Sequence, residues 1–413
     1  MSADTSTIRS NGGLQSAISP GQHPKAAVEE CLSNIPFFKP AISDAEISAV
    51  TQVLRSGWLT TGPNCRNFEQ KFAELIHEDV EAVAVSSATA GLHLAAEACG
   101  IGPGDQVLVP TLTFTATAAV LRYLGADVIL VDIDEKTRTI DLDHAEQLVT
   151  PRCKAIMPVH FGGLACEMPA ILAFAERHDL KVIDDAAHAL CATCHGQIIG
   201  SWNTAATVYS FYANKPITTG EGGMLVTRDP QIADRARKMR LHGLDRDSFD
   251  RFSKTSASWA YDVVAPGYKY NMTDVAAAIG LQQLARAEEL RASRERAAEL
   301  YLDLLSDLPI DLPATAPPRE LHAWHIFPIS VWQDAPVTRD ELIAVLTSQN
   351  IGTSVHYRPL HQMSYWSQCC GGRADEFPVA ERYFAGAVTL PLFPYMSEAQ
   401  VGRVADVIRR SMS

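Results

Sequence analysis

The chain has 413 residues, 47% hydrophobic and 20% charged, with a formal net charge of −13. That composition is ordinary for a globular protein of two or three domains, and its acidity argues against a nucleic-acid surface, which needs a basic stripe. No apolar run reaches the roughly 18 residues of a membrane span. Nine scattered cysteines, and an N-terminus without the apolar core of a secretory signal, lead to the expectation of a reduced, cytoplasmic protein.

Residues 1–34 read as a flexible leader, polar and rich in Ser and Gly. From Ser43 to Leu54 the apolar residues Ile47, Val50 and Leu54 recur at helical spacing, with Ser43 as N-cap. A turn-rich stretch from Ser56 to Pro63 follows, then a helix over Asn67 to Ile76. Ala82 to Val85 reads as a strand. It runs into Ser86-Ser87-Ala88-Thr89-Ala90-Gly91 and a helix over Leu92 to Cys99. Small hydroxylated residues entering a helix leave backbone N–H groups free, which makes a phosphate site or simply a capped helix start.

Gln106 to Pro110 is the next strand, followed by Thr111-Leu112-Thr113-Phe114. Strand Asp127 to Val131, helix His144 to Val149, strand Lys154 to Val159, helix Pro169 to His178 and strand Lys181 to Ile183 then alternate. Such alternation implies right-handed crossovers and a mostly parallel sheet covered on both faces. Ile232 to Leu241 reads as a basic helix. An irregular segment with Arg246, Asp250, Arg251 and Trp259 follows it. One long helical pattern over Thr273 to Leu305 joins two domains. Beyond it come strand Ile326 to Trp332, helix Arg339 to Gln349, a strand-like run Thr353 to Tyr357 and a last helix Ala399 to Met412. The expected division is a leader over 1–34, a large domain over 35–285 and a smaller α/β domain over 286–413.

Two stretches carry chemistry. Between the apolar runs Thr207–Tyr212 and Met224–Val226 lies a glycine-rich loop holding Lys215. A lysine desolvated on such a loop loses its proton readily, and the free amine attacks an aldehyde. Upstream, Asp184 and Asp185 stand at the carboxyl end of the strand Lys181–Ile183, where open α/β sheets bind ligands. A carboxylate there can hold a pyridinium nitrogen protonated, as pyridoxal phosphate requires. A third stretch, Cys191-Ala192-Thr193-Cys194-His195, spells a c-type haem attachment signature. With no second cysteine pair at ligand spacing, two thiols on a partly buried strand are the simpler reading, and no metal is expected.

Asp185 with His188 three residues on, and Ser210 with Lys215 five residues on, resemble the DegT/StrS-type sugar aminotransferases of fold type I, from about Phe37 to the C-terminus. That resemblance implies a fold type I pyridoxal-phosphate transferase with a mostly parallel seven-stranded sheet. In it Lys215 forms the aldimine and acts as base, Asp185 holds the ring nitrogen, and His188 packs on or hydrogen-bonds the ring. Ala88, Thr89 and Ser210 hold the phosphate, and Phe114 stacks on the ring. Asn271 reaches the phosphate of a second copy in a homodimer with shared sites. Thr60, Thr61, His325, His356 and Tyr357 are the implied substrate residues.

The implied reaction passes an amino group from L-glutamate, leaving 2-oxoglutarate, to a nucleotide-linked keto sugar. The motifs most resemble the branch using UDP-linked 4-keto sugars. Alternatives are another pyridoxal-phosphate reaction on a small keto or amino substrate, and a non-catalytic regulator that keeps the fold. Relatives that dehydrate sugars carry histidine in place of the lysine, so Lys215 argues against that branch.

Overall fold

The computed structural model describes residues 34–245 and 261–413. The expected leader, except Asn34, and the segment with Arg246, Asp250, Arg251 and Trp259 lie outside the described residues. The centre of the molecule is a seven-stranded sheet. Its strands are β1 Glu81–Val85, β2 Gln106–Pro110, β3 Asp127–Val131, β4 Cys153–Ile156, β5 Lys181–Asp185, β8 Ala206–Ser210 and β9 Gly223–Thr227, with a small hairpin, β6 Thr193–Cys194 and β7 Gln197–Ile198, between β5 and β8 in the chain. The sheet order is β1-β9-β8-β5-β4-β2-β3. β9 alone runs antiparallel, against both β1 and β8. The expected mostly parallel sheet is therefore present.

Near-continuous burial of β1, β2, β8 and β9 follows from helices on both faces. One apolar core on one face gathers Phe68, Phe72, Tyr209 and Phe211, and a second on the other gathers Leu92, Val109, Ile183 and Val208. A third core, around Tyr301, Phe327, Leu342, Leu390 and Val404, belongs to the C-terminal part. That part carries its own three-stranded sheet of β10 Ile310–Asp311, β11 Phe327–Val331 and β12 Ala387–Leu390. The segment holding Leu360, Trp366 and Tyr383 returns to pack on the second core of the large sheet.

Local chemistry sets the helix ends. Ser43 and Glu46 form a capping box at the start of helix Asp44–Ser56, and Gly57 closes it at φ 75°. The apolar spacing marked this helix but not its buried face. Ile47 and Leu54 are 59% and 57% exposed, and Glu46 and Val53 turn inward instead. Buried Glu46 is satisfied by Ser43, Gln283 and Arg286.

Two other expectations change. The long helix over Thr273 to Leu305 is two helices, Asp274–Ala285 and Ala287–Leu305, broken at Arg286. The strand-like run Thr353 to Tyr357 makes a single bridge, Ser354 to Thr389, because its segment leaves the small sheet to enter the lysine cavity. Among the described residues, no helix is long and apolar enough to cross a membrane.

Candidate active site

The carboxyl ends of β1, β5 and β8 open on one cavity of about 450 Å³. It is lined by Ser87, Ala88, Thr89, Phe114, Asp185, His188, Ser210, Lys215, His356 and Tyr357, among others. Two larger grooves, of about 620 and 580 Å³, reach neither Lys215 nor Asp185. The chemistry identifies the smaller cavity.

At one end sits the start of helix Ala88–Ala98. Ser87 caps it, accepting from Ala90 N at 3.1 Å. The first N–H groups of this helix stay unpaired within it and face the cavity as the positive end of the dipole. Gly223, opposite Ser210 at the start of β9, lets the helix start come this close. A Cβ there would stand 2.6 Å from the Ser87 carbonyl carbon and 2.7 Å from Ala88 N. The glycine of the lysine loop thus shapes the open helix start at this end of the cavity.

At the other end β5 delivers Asp185, only 5% exposed. Thr117 Oγ1 donates to its Oδ2 at 2.7 Å and Ala187 N to its Oδ1 at 3.1 Å. Burial raises the carboxyl's pKa, while those two donors and the Lys215 charge oppose the rise. Lys215 is half-buried on its loop, its Nζ 3.5 Å from His325 Nε2. Desolvation lowers the amine's pKa to about 8, against the pull of Asp185.

Imidazoles wall the lysine. His188 accepts from Gly162 N at 3.3 Å through Nδ1, so its Nε2 carries the proton and faces Tyr357 Oη at 3.1 Å. The rings of His188 and His325 lie 4.3 Å apart between centroids, tilted by 47°. Burial first, and the lysine charge second, hold both well below the usual histidine range. His356, hydrogen-bonded to Thr389 at 2.9 Å, is lowered to about 4 by burial. The lysine therefore meets neutral rings rather than competing cations.

The cavity thus gathers Ala88, Thr89, Phe114, Asp185, His188, Ser210, Lys215, His356 and Tyr357. His325, expected to meet substrate, lies buried beside the lysine amine and outside the cavity lining. Thr60, Thr61 and Asn271 also lie outside the lining. They bond to one another instead, with Asn271 Nδ2 at 2.8 Å from Thr61 Oγ1 and 3.5 Å from Thr60 Oγ1. Sequence reading missed Thr117, whose placement three residues past Phe114 was the available signal.

The CxxCH stretch sits apart. Cys194 and His195 enter the β6–β7 hairpin, and one atom each of Glu167, Cys194 and His195 come within 4.8 Å of one another.

The residues fit pyridoxal phosphate. A helix N-terminus and the Ser210 hydroxyl suit its phosphate, Asp185 its ring nitrogen, and the Lys215 amine its aldehyde. Comparison with known proteins agrees. The profile of the DegT/DnrJ/EryC1/StrS aminotransferase family matches residues 40–409.

The chain belongs to this family.

As a member of the DegT/DnrJ/EryC1/StrS family it is a pyridoxal-phosphate-dependent aminotransferase. It is 44% identical over 377 residues to the spore coat polysaccharide biosynthesis protein SpsC of Bacillus subtilis, covering 91% of this chain and 96% of that one. Spr1654 of Streptococcus pneumoniae, solved in a PLP form, superposes with a TM-score of 0.84 at 31% identity over 92% of this chain and 100% of that one. PseC of Helicobacter pylori, an aminotransferase involved in the biosynthesis of pseudoaminic acid, superposes at 0.83 with 25% identity over 92% and 99%.

Proposed function

We propose that this aminotransferase moves an amino group from L-glutamate to a nucleotide-linked keto sugar, with a UDP-linked 4-keto sugar as the favoured acceptor. The observation that carries the reading is the single cavity joining a lysine amine lowered to about 8, a buried carboxylate and an open helix N-terminus. The roles of SpsC in spore coat polysaccharide biosynthesis and of PseC in pseudoaminic acid biosynthesis support the acceptor class.

In this reading the N–H groups of Ala88 and Thr89 and the Ser210 hydroxyl hold the phosphate. Phe114 covers one face of the ring and His188 packs on or hydrogen-bonds it. Asp185 holds a proton at the ring nitrogen, with Thr117 keeping its carboxylate in place. When bound, pyridoxal phosphate supplies the electron sink for negative charge at the donor's α-carbon. The Lys215 amine would take the donor's α-proton and deliver it to the carbon of the cofactor's aldehyde rather than back to the α-carbon, a task suited to a base whose pKa lies near working pH. Neutral His188, His325 and His356 surround that amine without adding charge. His356 and Tyr357 face the donor and acceptor in turn, which is the two-stroke order of ping-pong transfer.

The same reading makes the enzyme a cytoplasmic homodimer. Asn271, Thr60 and Thr61 serve the cavity of a second copy, which accounts for their place outside this one. Exposed Ile47, Leu54 and Leu59, and Tyr123 and Tyr212, supply apolar surface for such a contact. It also divides the chain into lobes over 35–285 and 286–413, in keeping with the separate C-terminal core.

The test is a two-step assay. L-glutamate alone should release one 2-oxoglutarate per site, and the charged enzyme should then aminate a UDP-linked 4-keto sugar. Release of 2-oxoglutarate followed by amination of some other ketone, and of no nucleotide-linked sugar, would overturn the acceptor assignment.

A further inference from the structure

Two arginines of helix Ala287–Leu305 are equally buried and differently used. Arg291 is 5% exposed and pairs with Glu288 and Glu295. Arg294, three residues on, is 4% exposed and has no carboxylate partner among the described residues. Its Nε has no hydrogen-bond partner there either. Burying a guanidinium without a counter-charge is costly, so its other contacts must account for its position. Nη1 donates to the Pro216 carbonyl at 3.0 Å and lies 3.5 Å from the Leu290 carbonyl, while Nη2 donates to the Lys215 carbonyl at 3.3 Å. Its planar fork spans two successive carbonyls of the lysine loop, which a lysine's single ammonium cannot do at both.

We infer that Arg294 is a positioning residue that clamps the backbone of Lys215 from the C-terminal lobe and so sets where the lysine amine stands. The inference rests on the proposed role of Lys215. It assigns work to a helix that contributes no side chain to the cavity lining. The amine faces Asp185 from β5 and His188, His325 and His356 around it. Its own loop is tied elsewhere through Lys215 N to Tyr212 O at 3.0 Å, Thr218 N to Gln283 at 3.4 Å and Thr219 N to Phe211 O at 2.9 Å. None of these holds the carbonyls of Lys215 and Pro216. Without the clamp the two carbonyls must find water, the loop loosens, and the amine regains hydration.

The test uses the full chain freed of cofactor, as wild type, Arg294→Lys and Arg294→Gln. The labelling rate of Lys215 by trinitrobenzenesulfonate is followed against pH by peptide mass spectrometry, with exposed Lys39 and Lys154 as references. In Arg294→Gln the pH midpoint of Lys215 labelling should rise by about one unit or more, so that the rate at pH 8, relative to the same variant's plateau at high pH, falls about fivefold as the free amine drops from about a half to about a tenth. The reference lysines should not change, and Arg294→Lys, keeping one donor, should fall between. An unchanged pH midpoint for Lys215 labelling in folded Arg294→Gln overturns the inference. So does failure of both variants to fold, which would make Arg294 a fold residue alone. Wild type that takes up no pyridoxal phosphate would sink the proposed function and leave the labelling comparison intact.

Discussion

Asp184 and Asp185 are adjacent on β5 and serve opposite faces of the sheet. Alternation sends Asp185 with Ile183 to one side and Asp184 with Val182 to the other. Both are buried. Asp185 has donors on both oxygens and a lysine across the cavity. Asp184 accepts from Thr207 at 2.9 Å, and its Oδ1 has no hydrogen-bond partner among the described residues. Burial raises Asp184 to about 7. The difference teaches that burial alone does not make a functional carboxylate. Both carboxylates have side-chain donors, and what keeps Asp185 useful as an anion is the facing Lys215 cation, which only the cavity side of the sheet supplies.

The sharpest break of this comparison is removal of the cation. Lys215→Ala should lower 2-oxoglutarate release from L-glutamate by at least about a thousandfold, since the proton-moving base is lost. Asp185→Asn comes next, with a loss of about a hundredfold in kcat/KM, the scale of removing one preorganised electrostatic group. Thr117→Val should cost about tenfold, as a hydrogen bond to a charged group is lost. It should also raise Asp185 further, moving the acid limb of the kcat/KM–pH profile to higher pH.

Asp184→Asn should change turnover by less than about twofold and act on stability instead. A buried carboxyl raised to about 7 stabilises the fold fully only below its ordinary range near 4. That contribution is lost as pH rises through 7. The variant should therefore melt higher than wild type at pH 8, with a smaller difference at pH 5. Equal melting temperatures at both values would remove the contrast between the two aspartates.

Much of the site was legible because its residues are tied to local sequence signals. Lys215 lies on a glycine-rich loop between two apolar runs, and Asp185 ends one. Ala88 and Thr89 enter a helix through small hydroxylated residues. What could not be read depends on contacts far apart in the chain. Thr117 reaches Asp185 across 68 positions, and Arg294 reaches Lys215 across 79. His325, expected to meet substrate, stands against the lysine amine and outside the cavity lining, a placement only folding sets. Ile47 and Leu54 mark the helix but not its buried face, because a stripe of apolar residues looks alike whether it packs inward or lies on the surface. The break at Arg286 was hidden for another reason, since helix-favouring residues flank it on both sides.

The central claim is that Lys215 and Asp185 share one cavity that binds pyridoxal phosphate and accepts an amino group from glutamate. Its most direct test is the absorbance spectrum of the purified protein with pyridoxal phosphate, before and after L-glutamate, for wild type and Lys215→Ala. We predict a band in the region of about 400 nm that disappears on adding glutamate and is absent from the variant. A wild-type protein that stays colourless with added cofactor, or an equal band in Lys215→Ala, would contradict the claim.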